Sequence, residues 1–113
     1  MIASTLIFCS LAVVQCEPTP EIVYNEIERQ TKIYNVDTEI ALRIAKAESN
    51  FKATAVGYNT NGSNDKGVFQ INSIHKISDN CRLNYICNIR WAMKEMSKNG
   101  FGAWYSSKHK WNK

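Results

Sequence analysis

Ala55-Val56-Gly57-Tyr58-Asn59-Thr60-Asn61-Gly62-Ser63-Asn64-Asp65-Lys66-Gly67-Val68-Phe69-Gln70-Ile71-Asn72 decides how this chain folds, because it interrupts an otherwise helical pattern. Its polar middle is centred on Asn61-Gly62. Asn-Gly between short strand-capable segments is the strongest local hairpin signal, since both residues tolerate the positive φ of a tight turn. The run Gly67-Val68-Phe69-Gln70-Ile71-Asn72 behind it is compact and apolar with two amides, which predicts a buried turn or a short helix.

Upstream, Ile22, Val23, Ile27, Ile33 and Tyr34 recur at helical spacing with Glu26, Glu28, Arg29 and Gln30 between them. A second helix opens at Asp37 or Thr38, either of which can cap it, and runs through Ile40-Ala41-Leu42-Arg43-Ile44-Ala45-Lys46-Ala47-Glu48 to Asn50. Downstream, Ile89, Ala92, Met93 and Met96 mark a third helix that Asn99-Gly100 stops. The aromatic Phe101-Gly102-Ala103-Trp104-Tyr105 and a basic tail, Lys108-His109-Lys110-Trp111-Asn112-Lys113, follow. With 113 residues there is room for one domain. The expected class is α+β, mostly helical with one small hairpin.

Residues 1–16 carry no charged side chain and hold the apolar run Leu6-Ile7-Phe8 and Leu11-Ala12-Val13-Val14, which ends at Glu17-Pro18. This is a signal peptide in outline, too short for the ~20 apolar residues of a spanning helix. Residues 17–113 are then the mature domain, periplasmic or secreted. Cys16 is either the last residue removed or a lipidated first residue, although Gln15 is large for the lipoprotein pattern. In an oxidising compartment Cys81 and Cys87 read as a disulfide. Zinc is the competing idea, but two Cys with the distant His75 and His109 do not make a zinc-ligand pattern, so no metal or other cofactor is expected. The net charge of +4 suits anionic surfaces such as cell-wall polymers. Nucleic acid would fit the charge, but no nucleic-acid motif is present.

Glu48 follows Ala41, Ile44 and Ala45 by seven, four and three positions, so it shares an apolar helix face with them. Two readings are open. At the helix end its side chain can swing into solvent; held against an apolar wall, it would be hard to ionise and so suited to general acid chemistry.

The run Glu48-Ser49-Asn50-Phe51, the hairpin Asn59-Thr60-Asn61-Gly62-Ser63-Asn64-Asp65 and the close Gln70-Ile71-Asn72-Ser73 resemble the catalytic region of the lysozyme superfamily. Both c-type lysozymes and small exported lytic transglycosylases carry similar motifs. The later Cys87-Asn88-Ile89 and Asn99-Gly100-Phe101-Gly102-Ala103-Trp104 resemble the transglycosylases, and two mature cysteines are fewer than the four disulfides of the animal family imply. Across residues 37–105 the resemblance implies a lysozyme-like fold and an enzyme breaking the MurNAc-GlcNAc linkage of peptidoglycan. As a transglycosylase, Glu48 would act alone to give 1,6-anhydro ends. As a lysozyme, Glu48 and Asp65 would hydrolyse the bond together. Ser49, Asn59, Gln70, Asn72 and Trp104 would bind substrate, Trp104 by stacking on sugar or walling off Glu48. The implied partners are peptidoglycan strands and a secretion or pilus apparatus or a phage particle, with the chain a monomer. A third reading, of another class, is a structural component that binds peptidoglycan without catalysis.

Overall fold

The computed structural model describes residues 17–112. The leader and the fate of Cys16 therefore lie outside the described residues. Three helices make the body. Helix α1 (Pro20–Tyr34) starts where the Thr19 hydroxyl accepts from the Ile22 amide at 3.2 Å, with Pro20 at its first turn, and ends at Asn35 in the left-handed conformation. Helix α2 (Thr38–Ser49) is capped by Asp37, which accepts from the Ile40 amide, and Asn50 closes it with φ 54°. Asp37 and Asn50 lie where the sequence reading expects them, and each of the four caps supplies an acceptor, or a tolerated positive φ, at a helix end that lacks partners.

Past the sheet come α3 (Asp79–Leu83), α4 (Tyr85–Asn99) and the short α5 (Lys108–Trp111), with 3₁₀ turns at Ser73–His75 and Gly102–Ser107. The core lies between α1, α2 and α4, where Val23, Ile27, Ala41, Ile44, Ile89 and Met93 are fully buried around Phe69. Burying a side chain the size of Phe69 contributes about 1.5–3 kcal/mol, and Phe69 belongs to the turn that leads into the third strand. Core burial therefore holds the sheet against the helices.

Strands β1 (Val56–Tyr58), β2 (Asn64–Lys66) and β3 (Ile71–Asn72) form an antiparallel sheet in that order. Val56 faces Lys66, Tyr58 faces Asn64, and Asp65 faces Asn72. The expected hairpin is present. Its turn is closed by the Asn59 amide on the Ser63 carbonyl at 2.9 Å, with Gly62 at φ 88° and the Asn61 side chain accepting from the Ser63 amide. The hairpin reading was incomplete, however. The segment expected as a buried turn or short helix is a turn followed by β3, because Gln70 at φ 49° reverses the chain and leaves Ile71 opposite Lys66.

A polar brace from the α3–α4 corner holds this turn. Asn88, fully buried, accepts from the Phe69 amide at 3.0 Å and donates to the carbonyls of Lys66 (3.0 Å) and Arg82 (2.8 Å). Arg82, also buried, donates to the Ile71 carbonyl at 2.9 Å and to Asp79 at 2.8 Å. Gly67 passes so close that a Cβ there would overlap the Arg82 carbonyl and the Asn88 amide, and its φ is +85°. Cys81 and Cys87 form the expected disulfide, with Cα atoms 5.2 Å apart, and bracket Arg82.

The basic tail is not free. Its described part folds as α5 against α2, with Trp111 only 4% exposed. An apolar indole among lysines buries itself while the ammonium groups stay in water.

Candidate functional site

Glu48 lies in the last turn of α2, on the face that buries Ala41, Ile44 and Ala45. Its carboxyl is half-buried, and Oε2 accepts from Ser107 Oγ at 2.5 Å. Burial is the main influence that pushes its pKa above the ordinary glutamate value. The Ser107 hydrogen bond opposes the rise, Asp65 adds to it and Lys110 opposes it. The solvated reading of Glu48 is thus replaced by a carboxyl kept partly out of water.

Opposite Glu48, the sheet presents Asp65, whose two oxygens each hold an amide. Asn72 Nδ2 donates to Oδ1 at 2.8 Å and Asn59 Nδ2 donates to Oδ2 at 3.1 Å. This is a consequence of register, since Asn72 faces Asp65 across the ladder and Asn59 begins the turn from β1. Asn72 also caps the following 3₁₀ turn by accepting from the Ile74 amide. Gln70 uses its amide nitrogen on the Ala55 and Gly67 carbonyls, both at 3.0 Å.

Trp104 is 4% exposed, and its indole donates to the Phe69 carbonyl at 2.9 Å. Phe69 and Trp91 meet it edge-on, at centroid separations of 5.9 and 6.5 Å. It is a wall fixed to the core. A cleft of about 300 Å³ opens between these elements, lined by Glu48, Asn59, Asp65, Gln70, Ile71, Asn72, His75, Trp91, Ala103, Trp104 and Ser106.

Six of the seven residues expected at the site therefore converge: Glu48, Asp65, Asn59, Gln70, Asn72 and Trp104. Ser49 does not line the cleft. Its hydroxyl donates to the Val68 carbonyl at 2.7 Å and ties α2 to the turn before β3. Sequence reasoning missed His75, Trp91, Ser106 and the Ser107 contact. Trp91 was in reach, as an aromatic two positions after Ile89 on a predicted helix, but nothing local marks the serines, which arrive through the fold of the chain end.

A helical body and a small antiparallel sheet meeting at a carboxylate-lined cleft are the architecture of a lysozyme-like domain. The lysozyme-like domain family matches residues 26–107, and the chain belongs to it. Among curated proteins, a segment of 44 residues is 46% identical to "Invasion protein IagB" of Salmonella typhimurium strain SL1344, covering 39% of this chain and 28% of that protein. A segment of 42 residues is 45% identical to "Protein IpgF" of Shigella flexneri, covering 37% and 28% respectively. The matched part thus spans little more than a quarter of the length of these relatives.

These relatives correct the enzymatic expectation. Neither name is that of a glycosidase, and the family match carries a lysozyme-like domain rather than a reaction. Neither the lytic transglycosylase nor the lysozyme reading is carried over to this chain. Protein donors hold both oxygens of Asp65 and one oxygen of Glu48, and this geometry by itself assigns no reaction. What remains of the resemblance is its third reading, a component that binds peptidoglycan.

Proposed function

We propose that the cleft binds peptidoglycan glycan strands as a structural component of an exported assembly, periplasmic or secreted; the Salmonella relative is named an invasion protein. The chain would dock such an assembly on the wall, as a monomer. The composition of the cleft carries this reading. Asn59 Oδ1, Gln70 Oε1 and Glu48 Oε1 make no hydrogen bond among the described residues. They are acceptors for sugar hydroxyls and acetamido N–H groups, while Trp91 and Trp104 supply apolar wall for ring faces. Export would set the disulfide and the positive net charge in a compartment that suits both.

Co-sedimentation with purified sacculi tests the reading, with turbidity of the same suspension as a second readout. The wild type is expected to pellet with the wall and leave its turbidity unchanged. Asn59→Ala is expected to bind about tenfold more weakly, equivalent to ~1.4 kcal/mol. Failure of the wild type to sediment would sink the proposal. So would clearing of the suspension by wild type but not by Glu48→Gln.

A further inference from the structure

A second hollow of about 430 Å³ lies between α2 and α5, lined by Arg43, Lys46, Ala47, Lys110 and Trp111. Arg43 and Lys46, three positions apart, share one face of α2, and Lys110 comes from α5. Arg43 is paired with Glu39 at 2.6 Å, whereas Lys46 and Lys110 make no ion pair among the described residues. No carboxylate lines the hollow.

Hollow and cleft share a wall. Ala47 lines the first and Glu48 the second. Trp111, in the hollow, donates from its indole to Ser107 Oγ at 3.2 Å, and that hydroxyl donates to Glu48. A ligand held at Glu48 therefore lies across this shared wall from two exposed ammonium groups that make no ion pair among the described residues, one of which, Lys110, already acts on Glu48 electrostatically.

We propose that this hollow takes a carboxylate of the peptide stem carried by the glycan strand in the cleft. The inference rests on the glycan-binding reading and adds what the strand's substituent contacts. A peptidoglycan strand bears, on its muramyl sugars, short peptides that end in carboxylates, so an anion comes attached to the cleft's own ligand. An anionic lipid surface is the rival occupant. Recognition of a membrane surface calls for clusters of four to eight basic residues; the hollow is lined by three, of which Arg43 is paired with Glu39, and the other lysine of α5, Lys108, has its ammonium over the Tyr105 ring.

Binding of wild type and of the double variant Lys46→Gln with Lys110→Gln would be compared on intact sacculi and on sacculi stripped of free stem carboxylates by carbodiimide-driven amidation. Neither residue lines the cleft. The wild type is expected to bind intact wall about tenfold tighter than stripped wall, with the margin shrinking at high salt. The variant is expected to bind both at the wild type's stripped-wall affinity. Equal wild-type affinity for the two walls overturns the proposal, as does a variant that keeps the full preference. A variant equally weakened on both walls also overturns it, reducing the lysines to general attraction. Tight, lysine-dependent binding to phosphatidylglycerol vesicles without stem preference would give the hollow to lipid. Loss of wild-type binding to stripped wall alone counts against the cleft reading, while a surviving dependence on stems leaves the hollow's role intact.

Discussion

Ser107 Oγ donates to Glu48 Oε2 across 2.5 Å, joining positions 59 apart in the chain. The carboxyl at the end of α2 is therefore held by the segment that runs into α5, and that contact tempers the effect of burial on its protonation.

Removing the hydroxyl should show this. In Ser107→Ala, burial acts on Glu48 without the opposing hydrogen bond, so Glu48 is expected to titrate at higher pH than in wild type, where it already stands above the ordinary glutamate value. Carbon-detected NMR of the Glu48 carboxyl measures both. An unchanged or lower midpoint in the variant would remove Ser107 as the tempering donor.

The same shift predicts a pH dependence of stability. Because the folded pKa of Glu48 is raised, the folded state binds more protons than the unfolded state between the ordinary value of 4.5 and the raised one. The contribution of Glu48 is thus fully present below 4.5 and is lost as pH rises through the folded pKa. Glu48→Gln, which keeps an acceptor for Ser107, should gain in Tm relative to wild type as pH rises from 4 to 7. A difference that is flat or shrinking over this range would contradict the raised pKa.

Gly67 is expected to tolerate no side chain. With φ at +85° and backbone and amide atoms in the way of a Cβ, Gly67→Ala must displace the Arg82 carbonyl or the Asn88 amide. A loss of about 2–4 kcal/mol is expected, combining backbone strain with a disturbed buried hydrogen-bond set. Urea denaturation gives the number, and a change below about 0.5 kcal/mol would mean that the brace yields easily.

Asp65→Asn tests the clamp on the sheet. The carboxylate accepts from two amide groups, and an asparagine can offer one oxygen but must turn its own NH₂ towards the other donor. The expected cost is about 1–2 kcal/mol in stability, with glycan binding weakened alongside. A variant as stable as wild type would show that Asn59 and Asn72 re-pair without Asp65.

Opening the Cys81–Cys87 bridge should cost about 2 kcal/mol, the value expected for so short a loop. Cys81→Ser with Cys87→Ser, measured against the oxidised wild type, checks it. A much larger loss would mean that the bridge fixes Arg82 and Asn88 in addition to restricting the unfolded chain.

Much of the helical frame is legible in the sequence because its signals are local. Asp37, Asn50 and the Asn99-Gly100 pair end helices by what their own side chains and backbones can do within one turn. Strand β3 is not legible in this way. Two residues, Ile71 and Asn72, carry too little periodicity, and they pair only because Asn88 and Arg82, far along the chain, capture the backbone of the turn and of Ile71. Ser107 and α5 escaped for the same reason, since their roles exist only once the chain end packs on α2.

By itself the sequence determined the α+β class, the three main helices and the hairpin, because capping, turn chemistry and helical spacing act between near neighbours. Its resemblance to the lysozyme superfamily named six of the eleven residues that line the cleft. Only the tertiary structure decided what those residues do there. It made Ser49 a tie between helix and turn, gave Asp65 two amide partners, fixed Trp104 to the core and set Glu48 against Ser107. Each of these depends on contacts between segments far apart in the chain, which no local pattern encodes.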